Sequence, residues 1–258
     1  MKINYYKMLL WALGSLFLFA SELQSKTTEE DSNIDYIDWN SGELEIDQIF
    51  VNQQYGNLRL IQSNSNQIKV RSVIQRLDKS YKKAKLITDV KQGHLKIDFD
   101  LGDDIELNSA NPKQNLRIDT VVFLPKNTKL KAKVEKGKLL TKAISNDLSI
   151  ESFNSDFDVN STGTLDLYSQ NGNIHVKISS DRDALTEIKT SKGTITLFYE
   201  ISVVNFIIKT FGHIASNDWE LMKTKAGKEP NYEMSLGKEG RPIYLSSDSG
   251  NILLLKKQ

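Results

Sequence analysis

The clearest indication of the fold lies between Leu148 and Val176, in the sequence LSIESFNSDFDVNSTGTLDLYSQNGNIHV. It contains triplets in which one polar residue separates two apolar ones: Leu148-Ser149-Ile150, Phe157-Asp158-Val159, Leu165-Asp166-Leu167 and Ile174-His175-Val176. Such alternation is typical of a strand that is buried on one side. Successive triplets begin 9, 8 and 9 residues apart, which is the length of one short strand and one turn. The stretch therefore predicts a series of short β-strands.

Glycines that lie two residues before an apolar residue mark the turns of this series: Gly163, Gly172, Gly193, Gly212 and Gly250. The separations from Gly172 onward are 21, 19 and 38 residues, which indicates a unit of about 20 residues. Glycine suits a corner where the backbone has a positive φ or another chain segment approaches closely. The sequence thus predicts an all-β protein, a single-stranded parallel β-solenoid with coils of about 20 residues. A β-sandwich of the same strands is the alternative.

Further strands are expected on both sides of this stretch. A fifth triplet, Ile195-Thr196-Leu197, begins 21 residues after Ile174, so the gap should contain one more strand at Ala184–Ile188. Ile201–Ile208 is the most apolar segment after the N-terminal region, and its β-branched residues favour a buried strand. The N-terminal part contains four strands of the same type, at Gly42–Ile46, Gly56–Leu60, Gln67–Val70 and Gly93–Ile97. The basic stretch Arg76–Lys85 is interpreted as a solvated loop.

The composition is that of a globular protein and excludes several classes of function. The 258 residues include 34 basic and 33 acidic side chains, so the formal net charge is only +1, and nucleic acid is not an expected partner. The chain has no cysteine, which excludes disulfides, thiolate metal sites, a cysteine nucleophile and the lipid-modified cysteine of a bacterial lipoprotein.

The first 25 residues have the layout of a secretory signal peptide. Lys2 and Lys7 precede an apolar run from Met8 to Ala20, which is too short for the roughly 20 residues of a spanning helix. Cleavage is expected near Ser25, with Ala20 as the second choice, and an uncleaved membrane anchor is the alternative. The chain is therefore expected to be exported, to the periplasm, the outer envelope surface or the medium. Residues 26–39 form a polar lead or N-terminal cap, and 40–258 form one domain.

Three features together resemble the bacterial exported putative-adhesin family. They are the turn Pro125-Lys126-Asn127-Thr128 between two strands, the Ser/Thr-x-Gly-x-Ile series, and the ending Ile243–Leu254 that contains Gly250-Asn251-Ile252. The resemblance extends over roughly residues 40–258, and it implies a parallel β-solenoid that is exported and non-catalytic. Residues 216–241 depart from the pattern of that family and are interpreted as an irregular insertion.

The histidines His94, His175 and His213 fall in no metal-ligand motif and are expected to be exposed and unpaired. His213 is expected to lie in line with Thr194 and Asn173, because residues one coil apart stack in a solenoid. No Gly-x-Ser-x-Gly elbow and no phosphate-binding loop occur in the sequence, and no cofactor is predicted.

Three carboxylates are the best candidates for catalysis, because β-helical enzymes that act on polysaccharides use acidic residues on an outer sheet. Asp156 and Asp158 should point to the same side of one strand, and Asp166 should lie near them half a coil later. The favoured interpretation is that these are outward polar residues which keep the strands soluble. No catalytic residue is assigned.

The densest acidic cluster contains Asp98, Asp100, Asp103, Asp104 and Glu106. Oxygen-rich segments can bind calcium. This cluster lacks the ligand order of known calcium loops, so a solvated loop is favoured and no metal is predicted.

The predicted function is that of an adhesin-like cell-envelope module that does not catalyse a reaction. Its outer faces would present rows of polar residues to an envelope or surface polymer or to a protein. The alternative is a β-helix carbohydrate-active enzyme that uses the surface carboxylates. A membrane contact is expected only through an uncleaved N-terminal segment, and the default oligomeric state is a monomer.

Overall fold

The computed structural model describes residues 33–76, 84–101, 116–178, 184–200, 204–218, 234–236 and 241–257. Within these residues the protein is all-β, with eighteen strands and no helix. The strands are β1 (Ile34–Asn40), β2 (Gln48–Tyr55), β3 (Leu58–Ser63), β4 (Lys69–Arg76), β5 (Lys85–Lys91), β6 (His94–Asp100), β7 (Leu116–Pro125), β8 (Lys129–Lys142), β9 (Leu148–Ser161), β10 (Leu165–Asn171), β11 (Ile174–Ile178), β12 (Thr186–Lys192), β13 (Ile195–Tyr199), β14 (Val204–Thr210), β15 (Ile214–Ser216), β16 (Met234–Leu236), β17 (Arg241–Ser247) and β18 (Ile252–Lys256).

The strands form one open, mixed sheet in which two ladders run side by side. The first ladder has the order β5-β6-β2-β8-β9-β10-β12-β17-β14-β16. The second has the order β1-β4-β7-β3-β8-β9-β11-β13-β18-β15. The long strands β8 and β9 belong to both ladders. Antiparallel pairs occur only near the ends of the ladders, and the pairs between them are parallel.

The inward side chains of both ladders form one apolar core. Each triplet predicted from the sequence places its two apolar residues in this core, as Leu165 and Leu167 do in the first ladder and Ile174 and Val176 in the second. The central polar residues point outward, and Thr196, which is only 6% exposed, is covered on that face by His175 and Leu253 of the neighbouring strands. The predicted alternation is therefore confirmed for these strands.

The two ladders meet at corners where backbones stack closely. In space the corner residues follow the order Gly56, Gly137, Ser155, Gly172, Gly193, Gly250 and Gly212. A Cβ atom on Gly193 would lie far inside contact distance of the Gly172 carbonyl oxygen, so no side chain fits there. The close backbone approach that the sequence predicted at Gly172, Gly193, Gly212 and Gly250 is confirmed.

Buried hydroxyl groups satisfy the carbonyl groups of these corners. Ser169 Oγ donates to Ser155 O at 3.0 Å, and Thr190 Oγ1 donates to Gly172 O at 3.2 Å. Ser247 and Thr210 make the equivalent bonds to Gly193 O and Gly250 O. Because buried carbonyl groups rarely remain unpaired, these hydroxyls explain why polar residues occupy inward positions.

The order of the last strands differs from the order predicted by a regular 19-residue spacing. Strands β17 and β18 lie between β12–β13 and β14–β15, so Gly250 stacks on Gly193, and Gly212 stacks on Gly250. The prediction that Gly212 follows Gly193 in space is wrong. The repeat pattern is the same in every unit, so it does not specify which unit is the neighbour of which.

The N-terminal end is built differently from the rest. The strand predicted at Gly42–Ile46 is wrong, because Gly42 has φ +61° and donates its N–H to Asn40 Oδ1 at 2.9 Å, which makes a turn. A separate small core contains Ile74, Ala84, Phe99, Leu101, Leu116 and Ile118. Beside it lies an ion pair between Arg76 and Asp35, whose side chains are 11% and 15% exposed.

The predicted signal segment 1–25 lies outside the described residues, as do residues 77–83 of the predicted basic loop and most of the predicted insertion 216–241. The compact unit of the chain extends from Ile34 to Gln258. The described part of the chain contains no helix that is long and apolar enough to cross a membrane.

Candidate functional site

The outer face of the second ladder carries a continuous row of side chains from neighbouring strands. Asp158 of β9, His175 of β11 and Thr196 of β13 are direct register partners. Two residues further along the same strands, Lys177 and Phe198 are partners in a second row. In-register parallel pairing places such residues about 4.8 Å apart, so both rows are regular.

These rows form a shallow depression of about 450 Å³, which we treat as the candidate site. Its outward lining residues are Lys138, Leu140, Asp156, Asp158, Asn173, His175, Lys177 and Phe198. Phe198 is 41% exposed, so its ring is accessible to a ligand. The depression thus combines one aromatic surface with carboxylate, amide, imidazole and ammonium groups.

Asp156 also has a structural role at the corner. Its Oδ1 accepts a hydrogen bond from the backbone N–H of Asn173 at 2.9 Å. Asn173 Oδ1 accepts from Thr194 N in the same way, and Asn251 Oδ1 accepts from His213 N. The Asp156 side chain therefore continues a column of acceptors that connects successive units. Asp158, the other member of the predicted pair, accepts no such bond from the residues that the structure describes.

The predicted position of Asp166 is wrong. Asp166 pairs in register with Ser149 on the first ladder, and its Oδ2 accepts a hydrogen bond from Ser149 Oγ at 3.2 Å. Asp156 and Asp158 lie on the second ladder, beyond the corner. The prediction failed because β9 turns between its two halves, and the triplet spacing does not show on which side of the corner a strand lies.

The three histidines are exposed, as the sequence predicted. His213 stacks on Asn251, and Thr194 and Asn173 follow further along the column. The predicted line is therefore interrupted by Asn251, because β18 is inserted between β13 and β15.

The acidic candidates for a metal site are only partly described. Asp98 accepts a hydrogen bond from Asn52 Nδ2 at 3.1 Å and forms an ion pair with Lys96. Asp100 is the last residue of β6, and Asp103 and Asp104 lie outside the described residues. Among the residues that the structure describes, no group of three or more acidic or histidine side chains is placed to hold a metal ion.

Sequence reasoning missed two features beside the depression. Phe198 follows the triplet Ile195–Leu197 at an outward position, and an exposed aromatic residue in a polar row could have indicated it. Glu200 is the second feature, since it forms ion pairs with Lys257 at 2.9 Å and Lys177 at 3.2 Å. The hydrogen bonds from Lys257 and then Lys177 lower the pKa of the Glu200 carboxyl. These three residues are far apart in the sequence, so only the fold brings them together.

Comparisons with known proteins give a likeness in structure alone. No family model and no curated protein match the chain. The solved structure of a "putative cell adhesion protein" from Clostridium sporogenes has a TM-score of 0.49 at 16% identity, with 87% of this chain and 100% of that chain covered. A "putative adhesin" from Bacteroides fragilis has a TM-score of 0.32 at 12% identity, covering 86% and 97%. A "putative lipid binding protein" from Parabacteroides distasonis has a TM-score of 0.28 at 13% identity, covering 88% and 98%.

With TM-scores below 0.5, these likenesses leave the function to be inferred from the residues of this chain.

Proposed function

We propose that the chain is an exported, non-catalytic binding module of the bacterial cell envelope, built as a single-stranded parallel β-solenoid with coils of about 20 residues. The solenoid is supported by the parallel register that stacks the corners at Gly172, Gly193 and Gly250 on one another. A sandwich would be assembled from antiparallel sheets joined by Greek-key connections. Export is supported by the signal layout of residues 1–25.

The proposed ligand is an extended polysaccharide, and the observation that carries this proposal is the composition of the second-ladder depression. An exposed ring such as Phe198 can pack against the C–H face of a sugar. Asp158, Asn173 and His175 provide acceptors and donors for sugar hydroxyl groups. Because the rows repeat at the strand spacing, contacts can continue along a polymer instead of ending at one enclosed pocket.

A binding experiment on the secreted, purified chain tests the proposal. Isothermal titration against a panel of envelope and host polysaccharides should give saturable binding of at least one of them. We expect Phe198→Ala and Asp158→Asn each to weaken that binding about tenfold or more, because both remove a group inside the depression.

The matched controls are Phe211→Ala and Asp248→Asn, which change an exposed phenylalanine and an exposed aspartate outside the depression. Both should bind like the unchanged protein. Equal losses in the site variants and the controls, or no binding to any polysaccharide, would overturn the proposal.

Glycoside hydrolysis is the second candidate function, and the placement of Asp156 and Asp158 favours it. Asp156 and Asp158 lie two residues apart on one side of β9, so their Cα atoms are about 6.6 Å apart along the strand. Side chains from such positions can reach the carboxylate separation of roughly 6.5–9.5 Å that inverting glycosidases use. Release of new reducing ends, measured in the same samples and lost in Asp158→Asn, would replace the binding proposal with this one.

A further inference from the structure

Charge is sharply segregated along the middle of the chain. Residues 126–142 contain seven lysines and one acidic residue, Glu135. Residues 143–176 contain five acidic residues and no lysine or arginine. The total charge of the protein is only +1, so this local separation is hidden in the overall composition.

The fold places these two segments side by side on the outer face of the first ladder. A basic band is formed by Lys129, Lys131 and Lys133 of β8, which are all exposed. An acidic band is formed by Asp147, just before β9, by Glu151 of β9 and by Asp166 of β10. Lys133 is the register partner of Glu151, and Lys131 is the partner of Ser149, which is in turn the partner of Asp166.

Among the described residues, the lysines of the basic band and the carboxylates of the acidic band are neighbours but form no ion pair with one another. Neighbouring side chains on one face of a sheet project in the same direction, toward solvent. The charges are therefore available to a partner that approaches this face.

We propose that the partner is a second copy of this chain, bound face to face through the two bands. A twofold axis that lies in the face, parallel to the strands and between β8 and β9, exchanges the positions of the bands. Lys133 of each copy then faces Glu151 of the other, and Lys129 faces Asp147. Asp166 lies opposite Phe50, next to Lys131 of the second copy. A closed pair of this kind uses the same surface twice, as a twofold interface must.

Apolar contacts are available at the margins of the same face. Phe50 of β2 lies next to Lys131 and is 37% exposed. The proposed axis places it opposite Asp166 of β10 in the second copy, and the half-buried Tyr168 lies two residues further along that strand. Charge complementarity would set the orientation, and burial of these aromatic rings would add affinity.

The proposed dimer interface does not overlap the candidate polysaccharide site, because the depression with Phe198 lies on the second ladder. A dimer would present two such depressions, so a polymer long enough to reach both would bind more tightly than to one copy.

Charge-swap variants analysed by sedimentation velocity test this inference. The unchanged protein, produced with its own N-terminal segment, should sediment as a concentration-dependent monomer–dimer mixture. Raising sodium chloride from about 50 mM to about 500 mM should weaken the dimer at least about tenfold, because salt screens exposed charges. Lys131→Glu/Lys133→Glu and, separately, Glu151→Lys/Asp166→Lys should each be monomeric.

An equimolar mixture of the two double variants should dimerise again, since one now has an acidic face and the other a basic face. The control Lys192→Glu/Lys209→Glu makes the same change in net charge outside the bands and should associate like the unchanged protein. All samples carry the same N-terminal segment, so association through it would be equal in all of them. A monomer at every concentration and salt, or a mixture that remains monomeric, would overturn the inference.

Discussion

The stacked units, which begin with β2 and β3 and continue from β8 onward, are stabilised differently from the antiparallel N-terminal end formed by β1, β4 and β7. In the stacked units, corner glycines allow backbones to approach, and buried hydroxyls such as those of Ser169 and Thr190 satisfy their carbonyl groups. At the N-terminal end, antiparallel strands cover a small second core, and Arg76 pairs with Asp35. The stability of a repeated unit thus depends on close stacking of the backbones at its corner, whereas the stability of the N-terminal end depends on particular side chains.

The largest effect is expected where a side chain is added to a corner. Gly193→Ala should lower the free energy of unfolding by about 3–5 kcal/mol, because the new Cβ would overlap the Gly172 carbonyl oxygen and the unit must shift. Gly42→Ala is the matched change at the N-terminal end, where the added Cβ meets no atom within 4 Å. It should cost only about 1–2 kcal/mol for its positive φ.

Urea unfolding of both variants measures the difference. Equal losses would mean that the corner relaxes at little cost and that the two regions do not differ in this respect.

The next largest effect is expected at the ion pair of the N-terminal end. Asp35→Ala should destabilise the protein by about 2–4 kcal/mol, because it removes the Asp35 carboxylate that forms an ion pair with the mostly buried Arg76. The double variant Asp35→Leu/Arg76→Met should recover most of that loss, since an apolar pair avoids the cost of burying charge. A double variant less stable than Asp35→Ala in thermal unfolding would contradict this account.

A smaller effect separates two buried serines of the stacked units. Ser169→Ala should cost about 1–2 kcal/mol, because the carbonyl of Ser155 loses a hydrogen bond. Ser152 is equally buried, but its Oγ has no hydrogen-bond partner among the described residues. Ser152→Ala should therefore leave the free energy of unfolding unchanged or raise it. If urea unfolding showed that Ser152→Ala costs more stability than Ser169→Ala, the hydrogen bonds of the buried hydroxyl groups would not be what stabilises the corners.

The smallest effect concerns pH. Hydrogen bonds from Lys257 and Lys177 lower the pKa of Glu200 in the folded state, so this carboxyl stabilises the fold above its unfolded pKa of about 4.3. That contribution is lost as the pH falls through the lowered, folded-state value. Unfolding measured across this acidic range should have a shallower pH dependence in Glu200→Gln, and Lys257→Gln should remove part of the same slope. Identical slopes in all three proteins would contradict the assignment.

The local sequence pattern correctly predicted those properties that depend on one residue and its own strand. The outward positions of Asp158 and His175, the buried positions of their apolar neighbours and the close approach at Gly193 were all predictable. The position of a residue relative to the neighbouring unit could not be predicted from the pattern. Asp166 was expected beside Asp158 and lies beside Ser149, and His213 stacks on Asn251 instead of Thr194.

The all-β class, the short strands of alternating polarity and the corners that exclude side chains can all be derived from the sequence, because they follow from a period of two residues and from the positions of glycine. The identity of neighbouring strands is known only from the folded chain. Three features depend on the choice of neighbouring strands: the depression around Phe198, the insertion of β18 between β13 and β15, and the position of the basic band beside the acidic band. Each of them joins residues whose distance in the sequence cannot be derived from the repeat. Every unit presents the same edge to the next, so the choice among them depends on the packing of the whole chain.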